Sequence, residues 1–431
     1  MIRRSLAEWE TLPHGEGAGE MTEAAASRVA AAAVASPFGG RSGEGVLEHR
    51  RRGLKAKGVV GVVVADGAEL EILPKIDDPG GQGGVRLRLV EMLAVALDLP
   101  VAAGDLAAHD EQADTVLEIF VRLFSTRLVD AVRKGMPRRY VAHADDLPAL
   151  RGRMDVVRQF TALAASPERL ACRYDALSPD IPLNQIMKAT VAQLGHLARA
   201  ADNRRRLAEL SFAYADVMDV SPGRLRWDAV TLDRTDERWR TLLELARLLL
   251  GGWHQTTTAG GTRGFSLLFD MAALWEEYVT RLLARALAGS GRRLVAQGGR
   301  RFCLLADDGR SLFQTKPDIL VRRGDRVEQV IDTKWKRISA RVDDPKQGMA
   351  QSDVYQMMAY GRLYGCSRLI LLYPHHAGLG ADELHVRHRV AVPGCEERLE
   401  LATLDVTKPG RLVASLRVLC AEEHLSLDPS G

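Results

Sequence analysis

Cysteine is sparse in this 431-residue sequence, and no two cysteines form a C-x-x-C pair. Small secreted domains carry dense sets of paired cysteines, and structural zinc sites carry closely spaced ones. The sequence therefore predicts neither a disulfide framework nor a zinc site, and it fits a reducing compartment. The scattered residues are Cys172, Cys303, Cys366, Cys395 and Cys420.

Long apolar runs are also missing, so the sequence predicts no membrane-spanning helix. The alanine-rich stretch Ala24–Ala35 is interrupted by Ser27 and Arg28, and it lacks the layout of a signal peptide. We therefore expect a cytoplasmic protein that makes no membrane contact.

A phosphate-binding loop of the form G-x-x-x-x-G-K-[ST] is absent from the sequence. We therefore expect the chain to bind and hydrolyse no nucleotide by itself. The glycine-rich run Gly15–Glu20 follows no convincing strand, and its third glycine comes too early for a dinucleotide fingerprint. A turn explains this run better.

Charge of one sign is not in large excess, because the formal net charge is only +3. The net charge of the whole chain therefore gives no argument for nucleic-acid binding. Basic residues do outnumber acidic ones between Gly291 and Lys346, which is typical of a surface that follows phosphates. A solvated charged face would explain the same local excess.

The order of apolar patterns predicts a mixed α/β protein with several domains. Residues 59–64 and 69–76 are expected to form a hairpin, and the glycine-rich Gly251–Gly264 is the clearest domain boundary. We predict a β-rich amino-terminal domain over residues 1–155, a helical connecting region over 156–255 and a third domain over 256–431. Predicted helices include Met21–Val34, Val85–Leu97, Asp114–Lys134, Gln185–Ala201, Thr235–Leu250, Phe269–Leu287, Asp353–Tyr364 and Arg411–Glu422.

The stretch from Gln314 to Lys336 predicts two strands joined by a polar turn. Asp318 lies near the start of the first strand. Asp332 and Lys334 lie two residues apart on the second strand, so both side chains project from the same face. The hairpin therefore brings two carboxylates and one ammonium together. The predicted strands are Thr315–Val321 and Val327–Trp335.

This group of side chains suits metal-dependent hydrolysis of a phosphodiester. Mg²⁺ prefers carboxylate oxygens and keeps several waters, so two acidic side chains can hold it against a phosphate. A nearby lysine can orient the attacking water or stabilise developing charge. An Asp–Lys ion pair on a half-exposed strand is the alternative, and the two explanations are about equally supported by the hairpin alone.

Two predicted helices flank the hairpin. In Asp353–Tyr364 the residues Asp353, Gln356 and Tyr360 fall on one helical face. The upstream helix carries the adjacent acids Glu276 and Glu277.

Other polar groups have structural explanations. Asp180 and Asn184 are expected to cap the helix that follows them. The adjacent His375 and His376 point apart on an extended backbone, so we expect solvated loop residues there and no metal site.

The combination P-D, D-x-K, a preceding helical Glu and a following Q-x-x-x-Y resembles the PD-(D/E)xK nuclease superfamily. More narrowly, L-W-E-E-Y-V, K-P-D-I-L, V-I-D-T-K-W-K and Q-x-D-x-Y-Q-M-x-A-Y resemble the McrC family, the nuclease subunits of McrBC modification-dependent restriction systems. The strings over residues 70–76, 150–156 and 175–188 are similar to the same family.

The resemblance implies a role for each candidate residue. Asp318, Asp332 and Glu276 would bind Mg²⁺ or Mn²⁺, with Glu277 as an adjacent competitor for Glu276. Lys334 would be the catalytic lysine. Gln356 and Tyr360 would shape the site or contact DNA.

The resemblance also implies a division of labour within a hetero-oligomer. Residues 256–431 would form a PD-(D/E)xK core that cuts double-stranded DNA, and residues 1–155 would dock to an AAA+ GTPase of the McrB type and stimulate it. An activator of the motor whose own nuclease centre is dispensable, or a stand-alone DNA-repair nuclease, would explain part of the same pattern.

Overall fold

The structure is a computed structural model that describes residues 2–34, 46–98, 115–166, 168–233, 236–251, 253–255, 263–339, 348–391 and 396–421. Residues 252 and 256–262 of the predicted boundary loop lie outside these ranges, as does Cys395. Within these ranges the chain forms strands and helices in mixed order, which confirms the predicted mixed α/β class.

The first strands are β1 (Ile2–Ala7), β2 (Thr11–Pro13), β3 (Leu47–Arg50), β4 (Gly53–Ala56), β5 (Val59–Ala65), β6 (Ala68–Leu73), β7 (Arg139–Leu147), β8 (Arg153–Met154) and β9 (Leu170–Ser178). The later strands are β10 (Trp253–Gln255), β11 (Arg263–Asp270), β12 (Arg293–Ala296), β13 (Phe302–Leu305), β14 (Ser311–Gln314), β15 (Ile319–Arg323), β16 (Arg326–Thr333), β17 (Arg368–Pro374), β18 (His385–Arg389) and β19 (Arg398–Leu404). The helices are α1 (Glu23–Val34), α2 (Gly81–Ala96), α3 (Val116–Arg133), α4 (Val156–Phe160), α5 (Pro182–Leu197), α6 (Ala201–Ala213), α7 (Glu237–Gly251), α8 (Met271–Leu287), α9 (Gln351–Tyr364) and α10 (Leu412–Cys420).

A five-stranded sheet of order β1-β6-β5-β11-β10 joins distant parts of the sequence. β5 is a run of valines and small residues, as expected of a buried strand, and it returns as β6 through a turn at Gly67, whose φ is 74°. This confirms the predicted hairpin. On its other side β5 pairs antiparallel with β11, so a strand from beyond residue 262 completes the amino-terminal sheet.

A six-stranded sheet of order β12-β15-β16-β17-β19-β18 carries the predicted hairpin at its centre. β16, β17 and β19 run parallel, whereas β12, β15 and β18 run antiparallel to their neighbours. Val330, Leu369 and Leu371 form a core with Met357 and Tyr360 of α9. β18 and β19 pair antiparallel at one edge of this sheet.

The chain divides into two compact units. One consists of residues 1–113 and 255–431, and the other of residues 114–254. The second unit contains α3 to α7 and the three-stranded sheet β7-β9-β8. The predicted domains of residues 1–155, 156–255 and 256–431 are defined by the function expected of each, and this division stays a prediction.

The predicted helix Gln185–Ala201 was wrong in its bounds, because α5 begins at Pro182 and ends at Leu197. A separate helix, α6, follows and was not predicted, since few of its residues are apolar. The capping prediction was also wrong. The cap position of α5 is Ile181, and Asn184 donates from Nδ2 to the carbonyls of Pro137 at 2.8 Å and Pro179 at 2.7 Å.

Asp180 was likewise expected to cap α5 and does not. Its Oδ1 accepts from Gln185 Nε2 at 2.8 Å and from the backbone N–H of Met218 at 3.0 Å. The two polar residues therefore connect neighbouring segments to the start of α5. Separately, no helix in the described part of the chain is long and apolar enough to cross a membrane.

Candidate nuclease site

The predicted hairpin forms, with strands shorter than expected. β15 and β16 pair with Ile319 opposite Ile331, and the turn between them contains Gly324 at φ 57°. Asp318 directly precedes Ile319 in the sequence, and Asp332 directly follows Ile331. The antiparallel register therefore places the two aspartates across from each other at the open end of the hairpin.

Asp318 is held by the residue that follows Asp332. The backbone N–H of Thr333 donates to Asp318 Oδ2 at 2.8 Å, and the Thr333 hydroxyl donates to the same oxygen at 3.0 Å. Hydrogen bonds to an ionised carboxylate are stronger than those between neutral groups. Thr333 thus fixes the orientation of one carboxylate relative to the strand that carries the other.

Asp332 is almost completely buried, with only 1% of its surface exposed. Its Oδ2 lies 2.5 Å from Lys334 Nζ. Burial raises the pKa of the Asp332 carboxyl to about 6, and the negative charges of Asp318 and Asp353 add to the increase, whereas Lys334 opposes it. A second cation beside the two aspartates would lower this pKa again.

Lys334 connects the carboxylates to α9. Its Nζ donates to Gln356 Oε1 at 3.4 Å, and Gln356 Nε2 donates to the Tyr360 hydroxyl at 2.8 Å. Burial lowers the pKa of the Lys334 ammonium, but Asp332, Asp318 and Asp353 together raise it by more, so its net pKa lies above the ordinary value. Lys334 therefore stays a charged donor. Burial also raises the pKa of the Tyr360 hydroxyl.

Glu276 approaches the aspartates from α8. Gln297 Nε2 donates to Glu276 Oε1 at 2.8 Å, and the backbone N–H of Gln297 donates to the Asp318 carbonyl at 2.7 Å. Burial raises the pKa of Glu276, and the Asp318 carboxylate raises it further, although the Gln297 hydrogen bond opposes both. The competing Glu277 forms an ion pair with Arg281 at 2.6 Å, one turn along α8.

The donor set fits Mg²⁺ through two carboxylates. Among the described residues, no three His, Cys, Asp or Glu groups are arranged to hold one metal ion. Mg²⁺ retains most of its waters in proteins and is commonly bound through one or two carboxylates together with substrate phosphates. Asp318 and Asp332 supply such a pair, whereas Glu276 as a direct ligand stays a prediction.

Sequence reasoning missed two residues around the site, Thr333 and Gln297. The two-residue strand period places Thr333 on the face opposite Asp332 and Lys334, and its contact with Asp318 depends on the register at the hairpin end. Gln297 lies in no predicted motif, and its positive φ of 46° gave no signal in the sequence. Asp353 was noted on the α9 face, where it forms an ion pair with Lys336 at 3.1 Å.

The adjacent histidines do point apart, but they are not both solvated as predicted. His375 is 9% exposed, and its ring lies 3.1 Å from both the Thr403 hydroxyl and the Gly380 carbonyl. The His376 ring lies 3.0 Å from the Ile338 carbonyl. Both rings thus have structural partners.

Comparisons with known proteins extend over most of the chain. Residues 54–374 match the family described as "McrBC 5-methylcytosine restriction system component". A search of curated proteins found no match.

Solved structures from Thermococcus gammatolerans are similar to this chain. A chain of the refined half-complex from a tetradecameric assembly of McrB AAA+ hexamers with bound McrC is 21% identical, with a TM-score of 0.75, over 97% of this chain and 99% of that chain. A chain of the McrBC complex solved by cryo-EM is 26% identical, with a TM-score of 0.55, over 67% of this chain and 88% of that chain. The first of these structures is similar in fold to nearly the whole length of this chain.

Proposed function

Because the chain belongs to the McrBC 5-methylcytosine restriction system component family, we propose that it is the Mg²⁺-dependent endonuclease subunit of a McrBC-type restriction complex that acts in antiviral defence. The observation that carries this proposal is the pair Asp318 and Asp332 at one hairpin end, with Lys334 against the buried carboxylate. On this proposal the six-stranded sheet with α8 and α9 is the PD-(D/E)xK core.

The chain's own groups divide the chemistry among them. Asp318 and Asp332 would bind the cation, and Thr333 keeps the Asp318 carboxylate in place. Lys334 orients the attacking water or stabilises the charge that develops on the phosphate, and the hydrogen bond to Gln356 limits where its ammonium can lie. When bound, Mg²⁺ supplies Lewis-acid polarisation of the phosphate and lowers the pKa of a coordinated water.

Double-stranded DNA is the proposed substrate. The segment between α8 and β15 carries exposed basic residues, including Arg293, Arg300 and Lys316. Lys316 is close enough to Glu276 to lower the pKa of that carboxyl. Cations beside the carboxylates suit a polyanionic backbone, which would otherwise be repelled by the acidic centre.

An AAA+ GTPase of the McrB type is the proposed partner. The similar Thermococcus gammatolerans chains come from complexes whose descriptions name McrB hexamers with McrC, or McrBC. This chain has no phosphate-binding loop of its own, so nucleotide hydrolysis would belong to the ring. Co-elution of the full chain with its cognate ring protein, and stimulation of GTP hydrolysis by that ring, would test this part.

The nuclease assignment is tested by Asp318→Asn and Asp332→Asn, which keep the size of each side chain and remove its charge. In the reconstituted complex with Mg²⁺, we expect both variants to lose cleavage of double-stranded DNA and to keep the stimulation of GTP hydrolysis. Asp325→Asn, in the exposed turn of the same hairpin, is the matched control and should cut normally. Full cleavage by Asp332→Asn would refute the assignment.

A further inference from the structure

Glu8 is a buried carboxylate that the proposed chemistry does not use. It follows β1 directly and is 1% exposed. Its Oε1 accepts from the indole N–H of Trp335 and, at 3.3 Å, from the backbone N–H of Lys75. Its Oε2 has no hydrogen-bond partner within the described residues. Burial of such a group is costly, and it raises the pKa of Glu8.

Trp335, the partner of Glu8, connects the end of the site hairpin with α8. It is adjacent in sequence to Lys334, and its ring centroid lies 5.4 Å from that of Trp275. Trp275 is fully buried and adjacent in sequence to Glu276 on α8. The indole therefore contacts the helix that carries the third acid while its N–H is held by Glu8.

A second contact joins the chain that follows β6 to the chain that follows β16. Arg337, two residues beyond Trp335, forms an ion pair with Asp77, two residues beyond Lys75. Within the segment Leu70–Ile76, whose sequence string had no role in the proposed chemistry, Lys75 donates its backbone N–H to Glu8, and Asp77 follows that segment directly. The amino-terminal sheet thus holds the chain that leaves β16 at Trp335 and at Arg337.

We propose that Glu8 is a positioning residue of the nuclease centre. By holding the Trp335 indole against Trp275, it fixes the backbone that places the Lys334 ammonium between Asp332 and Gln356. The inference rests on the proposed function, and it gives the Lys75 N–H, which donates to the same Glu8 oxygen, a part in supporting the catalytic lysine.

The test compares variants of the full chain in complex with its AAA+ partner. Trp335→Phe keeps an aromatic ring beside Trp275 and removes the N–H, Glu8→Ala removes the acceptor, and Glu8→Gln keeps an amide oxygen that can accept. Glu69→Gln is the matched control, because Glu69 is also buried in this sheet and pairs with Arg3 at 3.4 Å.

Single-turnover cleavage of double-stranded DNA at saturating Mg²⁺ should fall about ten- to a hundredfold in Trp335→Phe and Glu8→Ala, because small displacements of a catalytic group cost rate on that scale. Glu8→Gln and Glu69→Gln should cut close to the parental rate. Trp335→Phe decides the question even if Glu8→Ala does not fold.

Repeating Trp335→Phe in a Lys334→Ala background separates positioning from general support. If the indole acts through Lys334, its loss should have no further effect once that lysine is gone. Equal losses in both backgrounds, or parental rates in Trp335→Phe, would overturn the inference while leaving the nuclease assignment intact. A parental complex that does not cut DNA would instead overturn the proposed function and this inference with it.

Discussion

Lys334 is the residue whose surroundings most clearly favour chemistry over structure. An ion pair ordinarily lowers the pKa of its carboxyl, yet burial and the nearby Asp318 keep the pKa of Asp332 raised even with Lys334 at 2.5 Å. The site thus concentrates negative charge beyond what one ammonium neutralises. Such a site is expected to gain stability from a further cation.

Replacing Lys334 with Ala should reduce DNA cleavage by about a hundred- to a thousandfold, the scale for removing one group that stabilises charge in a transition state. Single-turnover cleavage by the reconstituted complex measures this. Lys336→Ala is the matched control, because Lys336 pairs with Asp353 and lies two residues further along. Comparable losses in the two variants would show that Lys334 acts only through the general charge of the segment.

The raised pKa of Asp332 predicts proton-linked metal binding. Below pH about 6 the carboxyl is largely protonated in the metal-free protein, so binding of Mn²⁺ must release a proton there. At pH 8 the carboxylate is already ionised and no proton should leave this group. Calorimetric titration with Mn²⁺ in two buffers of different ionisation enthalpy should therefore show a buffer-dependent heat at pH 5.5 that disappears at pH 8.

The same titration on Asp332→Asn provides the control for that prediction. This variant has no titrating group at position 332, so the buffer-dependent heat of any remaining binding at pH 5.5 should be smaller than in the parental protein. Parental protein that bound Mn²⁺ with equal, buffer-independent heats at both pH values would contradict the assignment of Asp332 as a ligand.

At the scale of the hairpin, the position of Asp318 depends on its partner strand. Thr333→Val should keep the strand, because both side chains are β-branched, and should remove the hydroxyl that donates to Asp318 at 3.0 Å. A hydrogen bond to a charged group contributes about 1.5–3 kcal/mol. We therefore expect Mg²⁺ affinity to fall by about tenfold or more, measured by titration of cleavage activity. Thr333→Ser restores the donor and should recover most of the affinity.

The sequence predicts this hairpin well because two signals in it are local. The two-residue period places Asp332 and Lys334 on one face, and Gly324 permits the turn between the strands. The contacts of Asp318 with Thr333 and of Glu276 with Gln297 depend instead on the register and on a turn after β12. No local pattern encodes those contacts, so they were not predicted.

Local signals also fail where the sequence is polar along a whole element. α6 presents Leu207 and Leu210 to the core and few other apolar side chains, so it was not predicted at all. Asn184 resembles a helix cap in its spacing, but its amide bonds to carbonyls of two other segments. Tertiary contacts decide these positions, and they are not encoded in neighbouring residues.

At the scale of the molecule, the amino-terminal and carboxy-terminal parts of the sequence share one sheet. β11 pairs with β5 from Phe265 opposite Val64 to Asp270 opposite Val59. Asp270 then caps α8, accepting from the backbone N–H of Ala273 at 2.8 Å. The helix that carries Glu276 therefore starts from a strand that needs residues 59–65 as its partner.

This arrangement predicts how the chain can be divided. A fragment of residues 256–431 leaves β11 without its partner and also loses Glu8, so we expect it to lack a cooperative thermal transition in circular dichroism. A chain in which a Gly/Ser linker joins residues 1–113 to 255–431 keeps both sheets and should unfold in one cooperative step. Its Mn²⁺ binding should match that of the full chain, because every proposed ligand lies within that unit. A cooperative transition with normal Mn²⁺ binding in the 256–431 fragment would show instead that the proposed nuclease core folds independently of the amino-terminal sheet.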